Sequence, residues 1–246
     1  MASHRWTATV VACAVLSGCG SAVAAPPPAG PAPSVTTARP SKAPPKAVPI
    51  RYPQHGNQDW TVAPAQTAAP SGTSGKLWRY RVRIEKDITG VPLAAFAETV
   101  RRTLGDPRGW TAGDRRFRRV GPGQDYDFVV SLVTPDTRDA LCDDVPDGYT
   151  SCRNGADVVL NVARWAKGVP GFGKNLTWYR TYMINHETGH RLGYGHEKCP
   201  AAGRPAPVME QQTLGLHGCT PQPWPYPNGE HYQGPPGAYG DQVPAA

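Results

Sequence analysis

Residues 186–196 read His186-Glu187-Thr188-Gly189-His190-Arg191-Leu192-Gly193-Tyr194-Gly195-His196. His186 and His190 are four residues apart, so on an α-helix they stand one turn apart on one face and can grip a single metal ion. Glu187 lies beside them, near enough to hold a water on that metal. Gly193 can take a positive φ, which ends the helix and turns His196 back toward the same ion. Three neutral imidazoles leave a fourth position open, the arrangement of a catalytic rather than a structural zinc. Surface histidines falling together by coincidence would also have to supply Glu187 and Gly193 at their places, so the spacing is a specific signal.

The surroundings read as mixed α and β. The helix that carries the first two histidines is expected from about Thr177 to Leu192, after Gly171 and Gly173. Asn175-Leu176-Thr177 matches the N-glycosylation pattern and is read instead as the helix start, with Thr177 as its cap. Upstream, Leu77 to Ile84 alternates as a half-buried strand does. Pro92 suits a first helical position, and Leu93, Phe96, Ala97, Val100 and Leu104 follow at helical spacing until Gly105. Further strands are expected at Arg116 to Val120, Tyr126 to Val133 and Val158 to Val162. A sheet covered by helices, an α+β layer fold, is the architecture this pattern predicts.

Of 246 residues, 27 are glycine and 28 are proline, and the prolines crowd into 26–70 and the stretch after Cys219. One domain over 76–219 is therefore expected between a disordered Pro/Ala-rich tether, 19–75, and a Pro/Gly-rich tail, 220–246. Trp60 and Val62 hint at one local contact in the tether, and the tail interleaves Trp224, Tyr226, Tyr232 and Tyr239 with its prolines. The formal charge is +7, carried partly by Arg79, Arg81 and Arg83 and by Arg115, Arg116, Arg118 and Arg119. These are read as solvated strand faces, or as attraction to an anionic cell-envelope surface. Nucleic acid is not expected, since no binding motif accompanies the charge.

Residues 1–18 look like an export signal: Arg5, an apolar stretch from Val10 to Leu16, then small residues. Leu16-Ser17-Gly18-Cys19 resembles the bacterial lipobox, which would make Cys19 a lipidation site and the protein a membrane-anchored lipoprotein. The alternative is a secretory signal cut after Ala24. Cys142, Cys152, Cys199 and Cys219 remain, and an even number in an oxidising compartment argues for two disulfides. Three pairings are open; pairing neighbours, Cys142 with Cys152 and Cys199 with Cys219, gives the shortest loops. A four-cysteine zinc site lacks the close C-x-x-C spacing. His55, His217 and His231 are not expected to bind metal.

The pattern H-E-x-x-H-x-x-G-x-x-H at His186, Glu187, His190, Gly193 and His196 resembles the zinc signature of the metzincin metalloproteases. The chain is also similar to a group of uncharacterised exported actinobacterial proteins with a zincin-like domain. The resemblance implies a zincin-like mixed sheet, an active-site helix, and a methionine on a tight turn beneath the zinc. Met209, in Pro207-Val208-Met209-Glu210, stands where that turn is expected. Astacins and serralysins carry a tyrosine two residues after the methionine; here the position is Gln211. No cysteine lies between Cys19 and Cys142, which excludes latency through a prosegment cysteine. Glu197, after the third histidine, resembles the astacin pattern.

The expected function is an exported zinc endopeptidase acting on protein or peptide. Zn2+ would activate a water, and Glu187 would serve as general base. Substrate would pair with an edge strand, expected at Val158 to Val162 because that segment precedes the active-site helix, as in metzincins. Two other readings use the same residues: an inactive zincin scaffold that binds a partner, and a zinc-dependent cell-wall amidase.

Overall fold

A computed structural model describes residues 48–244. The expected signal peptide, Cys19 and the tether as far as residue 47 lie outside them. Among the described residues six strands make one mixed sheet: β1 (Trp60–Val62), β2 (Lys76–Glu85), β3 (Arg115–Arg119), β4 (Phe128–Val133), β5 (Cys152–Asn154) and β6 (Asp157–Asn161). The order is β1-β2-β4-β6-β5, with β3 parallel to the first half of β2. β2, β4 and β6 run parallel, while β1 and β5 are antiparallel to their neighbours. Parallel strands need crossovers, supplied by helix α1 (Leu93–Gly105) between β2 and β4 and by helix α2 (Pro135–Leu141) between β4 and β6.

β4 explains why the sheet is covered on both faces. All six of its residues are buried, and they form the near-continuous apolar run of a central parallel strand. Val130 and Leu132 face the main core with Val158 and Leu160, against α1 and the long helix α4 (Leu176–Arg191). Val133 and Val159 point the other way, into a smaller cluster with Cys142 near α2. A short helix, α3 (Val162–Lys167), follows β6, capped by Asn161, whose side chain accepts from the Ala163 amide at 2.9 Å. Neither α2 nor α3 was expected. Each is a turn or two long, too short for a periodic pattern to stand out.

Three expectations need correction. Residues 48–75 are not a free tether. β1 pairs with the end of β2, and the wholly buried Glu85 carboxylate accepts from the Gln58 amide at 2.9 Å, the Thr134 amide at 2.8 Å and the Thr137 hydroxyl at 2.7 Å. A buried carboxylate needs those donors, and the N-terminal segment provides one of them. The residues after Cys219 are not a loose tail either. Trp224 and Tyr226 are buried, and the Tyr226 amide donates to the Arg108 carbonyl at 2.9 Å. Aromatic anchors at this spacing bury enough surface to hold a chain that Pro and Gly keep out of regular structure. Finally, α4 is capped by Asn175, whose side chain accepts from the Trp178 amide at 3.1 Å, rather than by Thr177.

Candidate metal centre

α4 carries the first two histidines, and the turns that precede them are anchored in the core. Tyr179, Tyr182, Met183 and Ile184 are buried in the main core, and the Trp110 indole donates to the Asn185 carbonyl at 2.9 Å. This fixes the helix in rotation as well as depth, and presents His186 and His190 together. α4 ends at Arg191, and Gly193 takes φ +98°, a backbone that L side chains rarely adopt. The chain then doubles back. His190 Nε2 lies 3.2 Å from His186 Nε2 and 3.1 Å from His196 Nε2.

Those separations suit a shared ion. Two nitrogens at the usual zinc distance in a tetrahedral site stand roughly 3.3 Å apart. Each of the first two rings is also turned the right way by its other nitrogen. His186 Nδ1–H donates to the Val208 carbonyl at 2.8 Å, and His190 Nδ1–H donates to the Tyr194 carbonyl at 2.9 Å. Either bond leaves the Nε2 lone pair free for a metal and sets the ring's orientation. Burial, then the neighbouring imidazoles, holds His186 well below the usual imidazole range. Burial likewise lowers His190 and takes His196 to about 4. Three imidazoles kept neutral are a donor set suited to a divalent cation.

Glu187 shares the cleft of about 280 Å³ with the three histidines. Burial pushes its carboxyl up to about 8, with Asp144 adding to the effect and Arg138 and Arg153 opposing it. A cation among the rings would favour its ionised form. Tyr182, Gln211, Thr213 and Leu214 form one wall of the cleft, and Thr150 to Arg153 another.

Met209 lies against α4 at Gly189, buried, on a turn closed by the Glu210 amide donating to the Pro207 carbonyl at 3.0 Å. A Cβ on Gly189 would collide with Met209 Sδ and come within 2.8 Å of Trp110 Cζ2. Gly189 is therefore what lets the methionine approach the helix. The Cys199–Cys219 disulfide closes the loop that holds this turn, and Cys142–Cys152 ties the end of α2 to β5. Both are the pairings between neighbours.

The edge strand beside the site is not the expected one. Residues 157–161 are β6, which lies between β4 and β5. The outermost strand is β5, at Cys152–Asn154, too short to register in the sequence. Sequence reasoning also missed Arg138. It is 1 % exposed and bonds Asp139 at 2.9 Å, Asp144 at 2.7 Å and Thr150 at 2.8 Å. It thereby organises the acidic loop 143–150 that leads into the cleft wall. The signal was an arginine placed just before a cluster of aspartates. Tyr194 was missed too; its ring stacks on Trp110 at 4.6 Å and its hydroxyl accepts from Arg115 at 3.1 Å. Arg115 therefore holds the loop between His190 and His196, and Arg119 bonds the Pro64 and Ala97 carbonyls, so neither stands simply in solvent.

The excluded histidines have other neighbours. His55 pairs with Asp136 and His217 with Asp241, while His231 stacks on Tyr226 at 4.8 Å. Among the described residues no helix is long and apolar enough to cross a membrane, and the two disulfides are compatible with an exported protein. No curated protein and no solved structure matches the chain. A family model described as "Protein of unknown function (DUF3152)" matches residues 47–219, from just before the first described residue to the last disulfide cysteine. That span is well over half of the sequence, and the chain belongs to the DUF3152 family.

Proposed function

We propose that this protein is a zinc-dependent endopeptidase that works outside the cytoplasm. The observation that carries the reading is the convergence of His186, His190 and His196 in a cleft that Glu187 also lines. Zinc held by these rings would supply Lewis acidity toward the attacking water and the scissile carbonyl. Glu187 takes the proton of that water and delivers it to the leaving amine nitrogen. The peptide lies extended along β5, whose outer edge has no strand beside it among the described residues, and exchanges backbone hydrogen bonds with it. Gln211, not a tyrosine, faces the cleft after the methionine turn, so no phenol helps from that position. Lipidation of Cys19 and a place on the outer face of the membrane belong to the same proposal.

Metal analysis and peptide cleavage test it together. Purified protein should carry one zinc per chain, and His186→Ala, His190→Ala or His196→Ala should each lower that content. A peptide library should be cut by the loaded protein, spared after chelation, and cut again when zinc is restored. Zinc content unchanged in His196→Ala would refute the three-histidine site.

A further inference from the structure

The walls of the cleft are largely spoken for. Asp144 and Thr150 are held by Arg138, and the Tyr182 hydroxyl donates to the Glu210 carbonyl at 2.8 Å. Among its charged residues Arg153 is the exception. It lines the cleft and is exposed, and among the described residues its guanidinium has neither a carboxylate partner nor a hydrogen bond. Elsewhere arginines do reach acids, Arg83 on Asp157, Arg101 on Glu98 and Arg108 on Asp106.

The register of β5 aims this charge. Arg153 stands opposite Val158, and Cys152 opposite Val159. Successive residues of a strand point to opposite faces. Val159 and Cys152 belong to the cluster on the α2 side, whereas Val158 belongs to the core beneath α4. Arg153 is therefore on the α4 face, beyond the last core residue, at the rim of the histidine site. Its backbone is fixed, because the preceding residue is tied to α2 through the Cys142–Cys152 disulfide. A concave wall that holds an uncommitted guanidinium screens it less than open surface would.

We propose that the cleft selects acidic peptides, with a carboxylate of the substrate seated against Arg153. The planar guanidinium offers a carboxylate two parallel hydrogen bonds, and the polar neighbours Ser151, Gln211 and Thr213 give no large apolar side chain a better place. The carboxylate is either an aspartate or glutamate side chain or the free end of the peptide. This inference rests on the peptidase reading for the identity of the ligand, but it concerns recognition and is tested by binding.

The test uses the full chain with Glu187→Gln, loaded with zinc, so that bound peptide is not turned over. Fluorescence anisotropy gives Kd for matched labelled peptides with glutamate or glutamine at each position in turn, with the C-terminus free or amidated. At one position, or at the free end, the carboxylate form should bind on the order of tenfold more tightly. Arg153→Gln should erase the difference, Arg153→Lys should keep part of it, and Arg153→Glu should favour a lysine peptide instead. Which pair discriminates identifies the side chain or the chain end as the source. The proposal fails if no peptide binds, if every pair binds alike, or if the preference survives in Arg153→Gln. Failure of the wild type to hydrolyse a peptide that binds in this manner would defeat the peptidase reading and leave the recognition result standing.

Discussion

Removing the residues from Tyr232 onward should weaken zinc binding, although none of them belongs to the site. His196 sits on the short stretch after α4, outside any helix or strand, and the C-terminal segment straps that stretch in place. The Gly237 amide donates to the His196 carbonyl at 2.9 Å, and the Lys198 amide donates to the Pro235 carbonyl at 2.8 Å. Between them, the buried Glu197 carboxylate accepts from the Gly234 amide at 3.2 Å and from the Gln233 side chain at 3.4 Å. The Tyr239 hydroxyl accepts from the Cys199 amide at 3.2 Å. Truncation leaves Glu197 without those donors and frees the third ligand to sample other conformations. Fixing one residue's backbone costs about 1–2 kcal/mol, so freeing one or two residues around His196 should cost zinc about 1–4 kcal/mol. That is roughly a 5- to 700-fold rise in Kd. Competition against a chromophoric chelator measures it, with circular dichroism to show that the truncated chain is folded. A folded, truncated protein that holds zinc as tightly as the full chain would refute the strap.

Three further outcomes follow from the packing around the site. Gly189→Ala pushes a methyl group into Met209 Sδ and Trp110; overpacking of this kind costs about 1–3 kcal/mol, and thermal unfolding should show it, with an unchanged melting curve counting against the close approach. Replacing Cys199 and Cys219 by serine opens the loop around Met209 and should cost about 3 kcal/mol in the chain-entropy picture, with weaker zinc retention than the same change at Cys142 and Cys152 produces. The Glu210 carboxyl is wholly buried with no partner for either oxygen among the described residues, and burial, with Asp241 adding, pushes it up to about 7. Because the folded chain then keeps a proton that the unfolded chain releases near pH 4.5, this group's stabilising contribution is full below that pH and lost as pH rises toward 7. Melting of the metal-free protein across that range should flatten in Glu210→Gln relative to wild type, and parallel pH profiles would show that Glu210 does not titrate there.

The convergence of the three histidines was legible in the sequence because its geometry is local. Three histidines within eleven residues need only a helix and one glycine to meet, and both follow from elementary backbone rules. Met209 came from the resemblance rather than from spacing, and what the fold adds is the reason: Gly189 makes room for it. The arms were misread because composition describes a chain's average, while order here depends on a few contacts far apart in sequence. Gln58 meets Glu85, and Tyr226 meets Arg108; neither pairing leaves a local pattern. β5 leaves no signal because three residues cannot show alternation, so the edge was expected at Val158 to Val162, the segment that precedes the active-site helix. Arg153 and Arg138 carry no sequence signal of their roles for the same reason: what distinguishes a committed arginine from a free one is its partner, and partners are set by the fold.

In the proposed reaction Glu187 moves a proton while the three histidines hold zinc. The most direct measurement compares zinc content and peptide hydrolysis, with products identified by mass spectrometry, in wild type and Glu187→Gln. Both proteins should carry one zinc per chain, and hydrolysis should fall by about 10²–10⁴-fold in the variant. A fully loaded Glu187→Gln protein that cleaves peptides at the wild-type rate would contradict it.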